Sequence, residues 1–133
     1  MLLKIRVLFC CGLLLALLAC ADKEALSLGP QQWQGMQFVV ETRPTPLRAG
    51  MNEFIVIATR ERGRPGVDLI VSIRANENIA WRQAIQDGYT GVYRRAIRVN
   101  DPQRDVLSVQ IRNTKPEEGE AAETTLYFPL TSS

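Results

Sequence analysis

The sequence predicts an all-β fold in which two antiparallel sheets pack as a sandwich of about seven strands. From Met36 onward, apolar and β-branched runs alternate with turn signals about every ten residues. Several runs alternate between apolar and polar residues, as expected for strands with one face in the core and one in water. This spacing is typical of a sandwich or barrel and not of βαβ units.

The segment from Met36 onward divides into seven predicted strands. Asn52–Arg60 is apolar on both faces, which predicts a central strand. Ala80–Gln86 is the weakest strand and is also compatible with a short helical piece. Seven short strands of this rhythm indicate an immunoglobulin-like sandwich, here without the cysteine pair of antibody domains. The predicted strands are Gln37–Arg43, Asn52–Arg60, Leu69–Ala75, Ala80–Gln86, Val92–Val99, Asp105–Arg112 and Glu123–Leu130.

The first twenty residues predict a lipoprotein signal. Lys4 and Arg6 form a positively charged start, and Val7–Ala19 is an uncharged apolar run of thirteen residues. That run suits the apolar region of a secretory signal and is shorter than the roughly 20 residues of a membrane-spanning helix. The tripeptide Leu17-Leu18-Ala19 before Cys20 resembles a bacterial lipobox. The resemblance implies cleavage before Cys20 and attachment of lipid to its sulfur.

A second interpretation of these residues stays open. Ala19-Cys20-Ala21 is also the A-x-A pattern of ordinary signal cleavage, which would release a soluble protein starting at Asp22. In the lipoprotein interpretation, Ala21 stands where enterobacterial lipoproteins retained in the inner membrane carry aspartate. We therefore expect a lipid-anchored protein that faces the periplasm, with the outer membrane favoured over the inner membrane.

The lipobox divides the chain into three predicted parts. Residues 1–19 are the signal peptide, residues 20–35 are the lipidated cysteine and a tether, and residues 36–133 are the sandwich domain. The tether prediction depends on the polar composition of this stretch and on its Gly29-Pro30 pair.

The composition excludes the commonest catalytic and metal-binding arrangements. The chain has no histidine, which removes the usual general base and the commonest metal ligand. Cys10 and Cys11 lie in the signal and Cys20 receives the lipid, so the mature chain is predicted to hold no thiol and no disulfide. We expect a protein that is not an enzyme and that binds no cofactor and no metal.

The charge balance argues against nucleic acid as a partner. The chain has sixteen basic and fourteen acidic residues, and Lys4 and Arg6 leave with the signal. The mature protein is therefore formally neutral. Its basic residues are spread along the sequence, whereas a nucleic-acid footprint needs them clustered.

The candidate binding loop comprises Asp87, Gly88, Tyr89 and Tyr93. Asp87-Gly88 is a turn signal, and the two tyrosines supply aromatic contact surface. In the alternative interpretation, a tyrosine of this turn packs across the sandwich in the manner of a tyrosine corner.

Three other groups have two interpretations each. Trp81 is expected either in the core or as an exposed recognition aromatic. The acidic cluster of Glu117, Glu118, Glu120 and Glu123 is expected either as a solvated hairpin loop or as a site for calcium or a basic partner. The five arginines of the middle strands either meet an anionic polymer or lipid headgroup or pair with carboxylates across the sheet. These arginines are Arg74, Arg82, Arg94, Arg95 and Arg98.

Two groups of segments carry a family resemblance. TPLRAG at 45–50, NEFIVIATR at 52–60 and the turn and strand up to residue 75 form one group. DGYTGVY at 87–93 and DVLSV at 105–109 form the other. Together they resemble the small periplasmic domains of the YtkA-like and FixH-like group, which implies an immunoglobulin-like sandwich in an envelope protein. Some members handle copper through methionine and histidine between the middle strands; residues 75–80 contain neither, so this role is not carried over.

These observations predict a lipid-anchored envelope protein that acts by binding. We expect it to contact another envelope protein through an exposed sheet edge or the loop at Asp87–Tyr93. One alternative, implied only by the resemblance, is a periplasmic metal or small-ligand carrier of YtkA-like type. The other is a carboxylate-dependent hydrolase, which requires a concave site with converging acids.

Overall fold

The computed structural model describes residues 27–131, which form nine β-strands, one short 3₁₀ turn and no α-helix. The predicted all-β class is confirmed. The strands are β1 (Ser27–Trp33), β2 (Met36–Arg43), β3 (Gly50–Thr59), β4 (Leu69–Arg74), β5 (Arg82–Gln83), β6 (Ile85–Gln86), β7 (Val92–Val99), β8 (Val106–Asn113) and β9 (Glu123–Pro129).

The strands form two antiparallel sheets. One sheet has the order β1-β2-β3-β7-β6, and the other has the order β5-β4-β8-β9. The sets β2-β3-β7-β6 and β4-β8-β9 correspond to the ABED and CFG sheets of an immunoglobulin domain. The predicted immunoglobulin-like sandwich is therefore confirmed, with β1 added outside β2 and β5 added outside β4.

Strand β3 is central, as its two apolar faces predict, because it pairs with β2 on one side and β7 on the other. Phe54 and Val56 point into the layer between the sheets and are fully buried. Ile55 points to the outer face of the sheet, yet it is only 5% exposed. Its cross-strand partners are Glu41 and Arg94, whose long aliphatic stems border it on the outer face.

The core lies between the two sheets and follows the alternation of each strand. Most inward positions are apolar and most outward positions are polar or partly exposed, as with Tyr127 on β9, which is 59% exposed. The inward residues of β4 and β8 are Leu69, Val71, Ile73, Leu107, Val109 and Ile111.

Strand β1 differs from the sequence prediction. Residues 27–33, predicted to be part of a tether, pair with β2 as an edge strand. Only Leu28 of this strand is buried, and the register shifts between Leu28 and Gln31. An edge strand with one buried side chain and an irregular register has no apolar alternation, which is why its composition resembles a tether. Within the described residues, the sheet therefore includes residues 27–33 ahead of Met36.

The weakest predicted strand, Ala80–Gln86, changes sheets part-way along. Residues 82–83 pair with β4, the Ala84 amide donates to the Val71 carbonyl at 2.8 Å, and residues 85–86 pair with β7. The short helical alternative is therefore wrong. A segment that serves two sheets cannot keep one inward face, so its sequence shows no regular alternation.

The sandwich has two distinct ends. The β7–β8 connection crosses between the sheets at one end, and the β3–β4 connection crosses at the other. We call the first the basal end; it carries Ser27 and the segments 43–50, 74–82 and 98–105. The apical end carries the turn at 34–35 and the segments 60–68, 87–91 and 112–123.

The β6–β7 turn is packed tightly against the apical end of β3. The Ala58 amide donates to the Gly91 carbonyl at 2.8 Å, and Gly91 has a φ of 77°. A Cβ at this position would lie 2.5 Å from the Ala58 oxygen. Gly88, in the same turn, has a φ of 58° and no atom within 4 Å of a Cβ.

Replacing these two glycines separates backbone conformation from close packing. We expect Gly88→Ala to lower the free energy of unfolding by about 1 kcal/mol through its left-handed backbone alone. Gly91→Ala is expected to cost about 1–3 kcal/mol more, because its methyl group overlaps backbone atoms that cannot move aside. Urea denaturation of the two variants provides the measurement. Equal losses of stability would contradict the close packing of this turn.

Candidate functional site

The candidate loop lies at the apical end, between β6 and β7. The Asp87 amide donates to the Val92 carbonyl at 2.8 Å, and the Thr90 hydroxyl donates to the Asp87 carbonyl at 2.6 Å. These bonds close the turn and direct Tyr89 into solvent, where it is 85% exposed. Asp87, Gly88 and Tyr89 are thus all available at the surface.

Tyr93 is not available at this surface. Its side chain is 1% exposed, and its hydroxyl donates to the Gly66 carbonyl at 2.9 Å. Burial raises the pKa of Tyr93, because the phenolate is poorly solvated in the core. The geometry corresponds to the alternative in which a tyrosine packs across the sandwich, with its hydrogen bond made to the β3–β4 connection.

The lipidation site and the cleavage residues lie outside the described residues. Cys20 and the tripeptide Leu17-Leu18-Ala19 precede Ser27, so cleavage and lipid attachment stay predictions. Within residues 27–131, no helix is long and apolar enough to cross a membrane.

One accessible main-chain surface is an uncovered part of β7. Strand β6 covers β7 only opposite Tyr93 and Arg94. Residues of an antiparallel strand direct their amide and carbonyl groups alternately to either side, and Arg94 directs its own toward Ile85. Ala96 and Arg98 therefore direct theirs to the same side, where the strand has no partner among residues 27–131. We call residues 96–98 the β7 edge.

Apolar side chains flank the β7 edge. Ile85, the residue of β6 next to the β7 edge, is 67% exposed. Met51, which lies on β3 opposite Arg98, is 51% exposed. Sequence reasoning missed Ile85, because its exposure depends on the change of sheet at Ala84. An open cleft of ≈ 480 Å³ runs beside the edge, bordered by Met51, Ile79, Arg82, Arg95 and Arg98 among others.

The five arginines of the middle strands divide into two groups. Arg94 forms an ion pair with Glu53, with 2.6 Å between Nη2 and Oε1, and this contact raises the pKa of Arg94. Arg74 lies over the ring of Trp81, 4.3 Å from its centroid. Trp81 itself is half-buried and so fits neither expectation fully. Cross-strand pairing thus accounts for one arginine and ring stacking for another.

The second group faces the cleft. Arg82 is the register partner of Ile73 and shares its inward side, and Arg95 points between the sheets from β7. Arg98 lies at the outer rim. Within residues 27–131, no carboxylate lies within 4 Å of the charged groups of these three arginines. The cleft is therefore cationic.

The two methionines of the described residues, Met36 and Met51, share no site. Met36 is fully buried in the core, whereas Met51 is exposed on the outer face, so the two thioethers do not converge. No group of three or more histidine, cysteine, aspartate or glutamate residues within 27–131 could hold a metal ion. The glutamates from Glu117 to Glu123 line an exposed connection between β8 and β9, with the Glu120 amide bonded to the Glu117 carbonyl.

Comparison of the chain with protein-family models, with curated proteins and with solved structures gives no match. The resemblance to the YtkA-like and FixH-like group thus stays a prediction. The candidate surface has to be judged on its own geometry, which offers unpaired main-chain groups, exposed apolar side chains and arginine charge.

Replacing Tyr93 by phenylalanine tests the buried hydroxyl. Tyr93→Phe is expected to lower the free energy of unfolding by about 1–2 kcal/mol at neutral pH, because the Gly66 carbonyl loses its donor. The raised folded-state pKa adds a second signature: its stabilisation is complete below the unfolded pKa of about 10 and is lost as pH rises through the folded pKa. Urea denaturation at several pH values should therefore show a steeper alkaline loss in the wild type than in Tyr93→Phe. Parallel alkaline profiles would contradict this role.

Proposed function

We propose that this protein is a lipid-anchored, non-catalytic binding protein of the cell envelope that faces the periplasm and contacts another envelope protein. The observation that carries the proposal is the β7 edge, where Ala96 and Arg98 have main-chain donors and acceptors without a partner in the sandwich. An uncovered strand edge is a ready template for another chain.

The proposed contact is strand addition. An extended segment of the partner aligns antiparallel or parallel to β7 and exchanges hydrogen bonds with Ala96 and Arg98. Main-chain bonds of this kind give affinity, and side-chain pockets beside the strand give specificity. Ile85 and Met51 provide the apolar contacts on the outer face, and Tyr89 extends the surface toward the apical end.

Charge favours a partner segment with acidic side chains. Arg95 and Arg98 border the edge without carboxylate partners in the described part of the chain, so a second basic strand is disfavoured. The same charges suppress pairing between two copies of β7, a common protection of natural strand edges. The arginines therefore attract an acidic partner segment and at the same time disfavour pairing of the edge with a second copy of this chain.

The proposed site of lipid attachment is Cys20. The lipobox resemblance and the signal pattern support lipid attachment there, and stable membrane retention needs more than one acyl chain. The outer membrane is the favoured location, because Ala21 stands after Cys20 in place of aspartate.

Proline at position 96 tests strand addition. The Ala96 amide points to the uncovered side, so Ala96→Pro removes no hydrogen bond within the sandwich, and proline is tolerated at such edge positions. We expect Ala96→Pro to abolish crosslinking of the partner in intact cells. Ala96→Val keeps the amide and is the matched control, which should retain crosslinking.

Urea denaturation of both variants verifies that each remains folded. Undiminished capture by Ala96→Pro, or capture of no reproducible partner by the wild type, would overturn strand addition at this edge. Loss of capture by the valine variant as well would indicate a side-chain contact at Ala96 in place of main-chain pairing.

Labelling with radioactive palmitate tests the anchor. The wild-type chain is expected to incorporate label, and the Cys20→Ser chain is expected to incorporate none, because serine offers no thiol for lipid attachment. Equal labelling of the two chains, or labelling of neither, would refute the lipobox interpretation.

A further inference from the structure

The two ends of the sandwich differ in charge. The basal segments 43–50, 74–82 and 98–105 contain six arginines and three carboxylates. The apical segments 60–68, 87–91 and 112–123 contain five basic and seven acidic residues. The domain of a formally neutral mature chain is thus polarised along its strands, with positive charge at the basal end.

The basal carboxylates are largely engaged within the end itself. Asp105 Oδ2 accepts hydrogen bonds from the amides of Asn100 and Asp101, at 2.8 and 3.1 Å. Asp101 accepts from the Gln103 amide at 2.9 Å and lies 3.8 Å from Arg104 Nε. These acids order the β7–β8 connection, and the basal segments still hold six arginines against three carboxylates.

Three basal arginines are exposed and lie apart from the β7 edge. Arg43 and Arg48 lie at the β2–β3 connection, and neither has a carboxylate within 4 Å in the described part of the chain. Arg104 has a side chain that is 88% exposed. Arg43 and Arg48 thus have no ion-pair partner in that part of the chain, and Arg104, which lies 3.8 Å from Asp101 Oδ2, keeps most of its side chain in solvent.

The chain enters the sandwich at this same end. Ser27 opens β1 opposite Glu41, near the basal end of β2, and Cys20 precedes Ser27 by seven positions. Even fully extended, seven residues span at most about 25 Å. A lipid on Cys20 therefore keeps Ser27 within about 25 Å of the bilayer. The apical end lies one strand length away from Ser27.

We propose that the basal end docks on the anionic headgroups of the membrane that holds the anchor, with Arg43, Arg48 and Arg104 bound to lipid phosphates. This inference rests on the proposed lipidation of Cys20, which sets the end that reaches the surface. Each arginine near an anionic surface is worth about fivefold in binding. The acidic apical end is repelled by the same surface, so one orientation prevails.

The two tryptophans of the chain report this orientation. Trp81 is in the basal segment 74–82, and Trp33 is next to the apical turn, opposite Met36. Trp33→Phe leaves Trp81 as the only tryptophan, and Trp81→Phe leaves Trp33. The lipidated protein is reconstituted in vesicles with nitroxide-labelled headgroups, and quenching of tryptophan fluorescence measures the proximity of each end.

Vesicle charge and salt provide the first comparison. Trp81 is expected to be quenched more in vesicles that contain phosphatidylglycerol than in vesicles of phosphatidylcholine alone. Trp33 is expected to be quenched weakly, and to the same extent, in both kinds of vesicle. At about 1 M salt, where the screening length falls to about 3 Å, the excess quenching of Trp81 should disappear. Stronger quenching of Trp33 than of Trp81, or no dependence on vesicle charge, overturns the proposal.

Matched charge removal provides the second comparison. The triple variant R43Q/R48Q/R104Q is expected to lose the excess quenching of Trp81. The control R60Q/R62Q/R64Q removes three charges from the apical end and should retain it. Urea denaturation verifies that both triple variants are folded, and unchanged quenching in the basal variant overturns the proposal.

Two further outcomes separate this inference from the proposed function. A wild-type chain that does not stay on neutral vesicles lacks the lipid anchor, which is a failure of the proposed function. An anchored chain without charge-dependent quenching is a failure of the docking inference alone. Loss of partner crosslinking in R43Q/R48Q/R104Q with unchanged quenching would assign these arginines to the protein partner and also overturn membrane docking.

Discussion

Apolar packing between the two inner sheet faces is the interaction on which the whole structure depends. Residues 27–131 contain no cysteine, so no disulfide joins the sheets in the manner of antibody domains. Fully buried side chains such as Phe54 on β3 and Ile111 on β8 supply the contact. Tyr93 adds one directed bond between the layers, from β7 to the connection that leads into β4. Every surface feature described above is positioned by this packing.

The β7 edge results from the way in which the chain passes between the two sheets at this side of the sandwich. The chain crosses from one sheet to the other at Ala84, which is buried and bonded to Val71. Because this segment serves both sheets, only two of its residues pair with β7. The rest of β7 has no strand on that side among residues 27–131, and the arginines beside it protect an edge that a longer strand would otherwise cover.

The sequence predicted the regular parts of the fold well. The sequence pattern predicts which residues are buried in strands that alternate cleanly, as in Val106–Asn113, and in strands that are apolar on both faces, as in Gly50–Thr59. Ser27–Trp33 escaped prediction because it buries only Leu28. The sheet change at Ala84 escaped it because two half-strands with different partners share no period.

The candidate surface was less predictable than the fold. The turn at Asp87-Gly88 is a local signal, and its position in the structure agrees with it. Whether Tyr93 faces solvent or core depends on the register of β7 with β3, which pairs residues about 40 positions apart. The ion pair of Arg94 with Glu53 is equally remote in sequence. Such contacts are set by topology, and no short segment contains them.

The inclusion of residues 27–33 in the sheet has a consequence for how a partner is met. Six residues of the sequence stand between Cys20 and Ser27, the first residue of β1. With a lipid on Cys20, so short a linker keeps the β7 edge in a thin layer above the bilayer. A partner held in the same membrane then meets the edge at a high effective concentration, so even weak strand pairing is sufficient for capture. A longer linker would let the same edge reach further into the periplasm, which would lower its effective concentration for membrane-bound partners and favour freely diffusing ones.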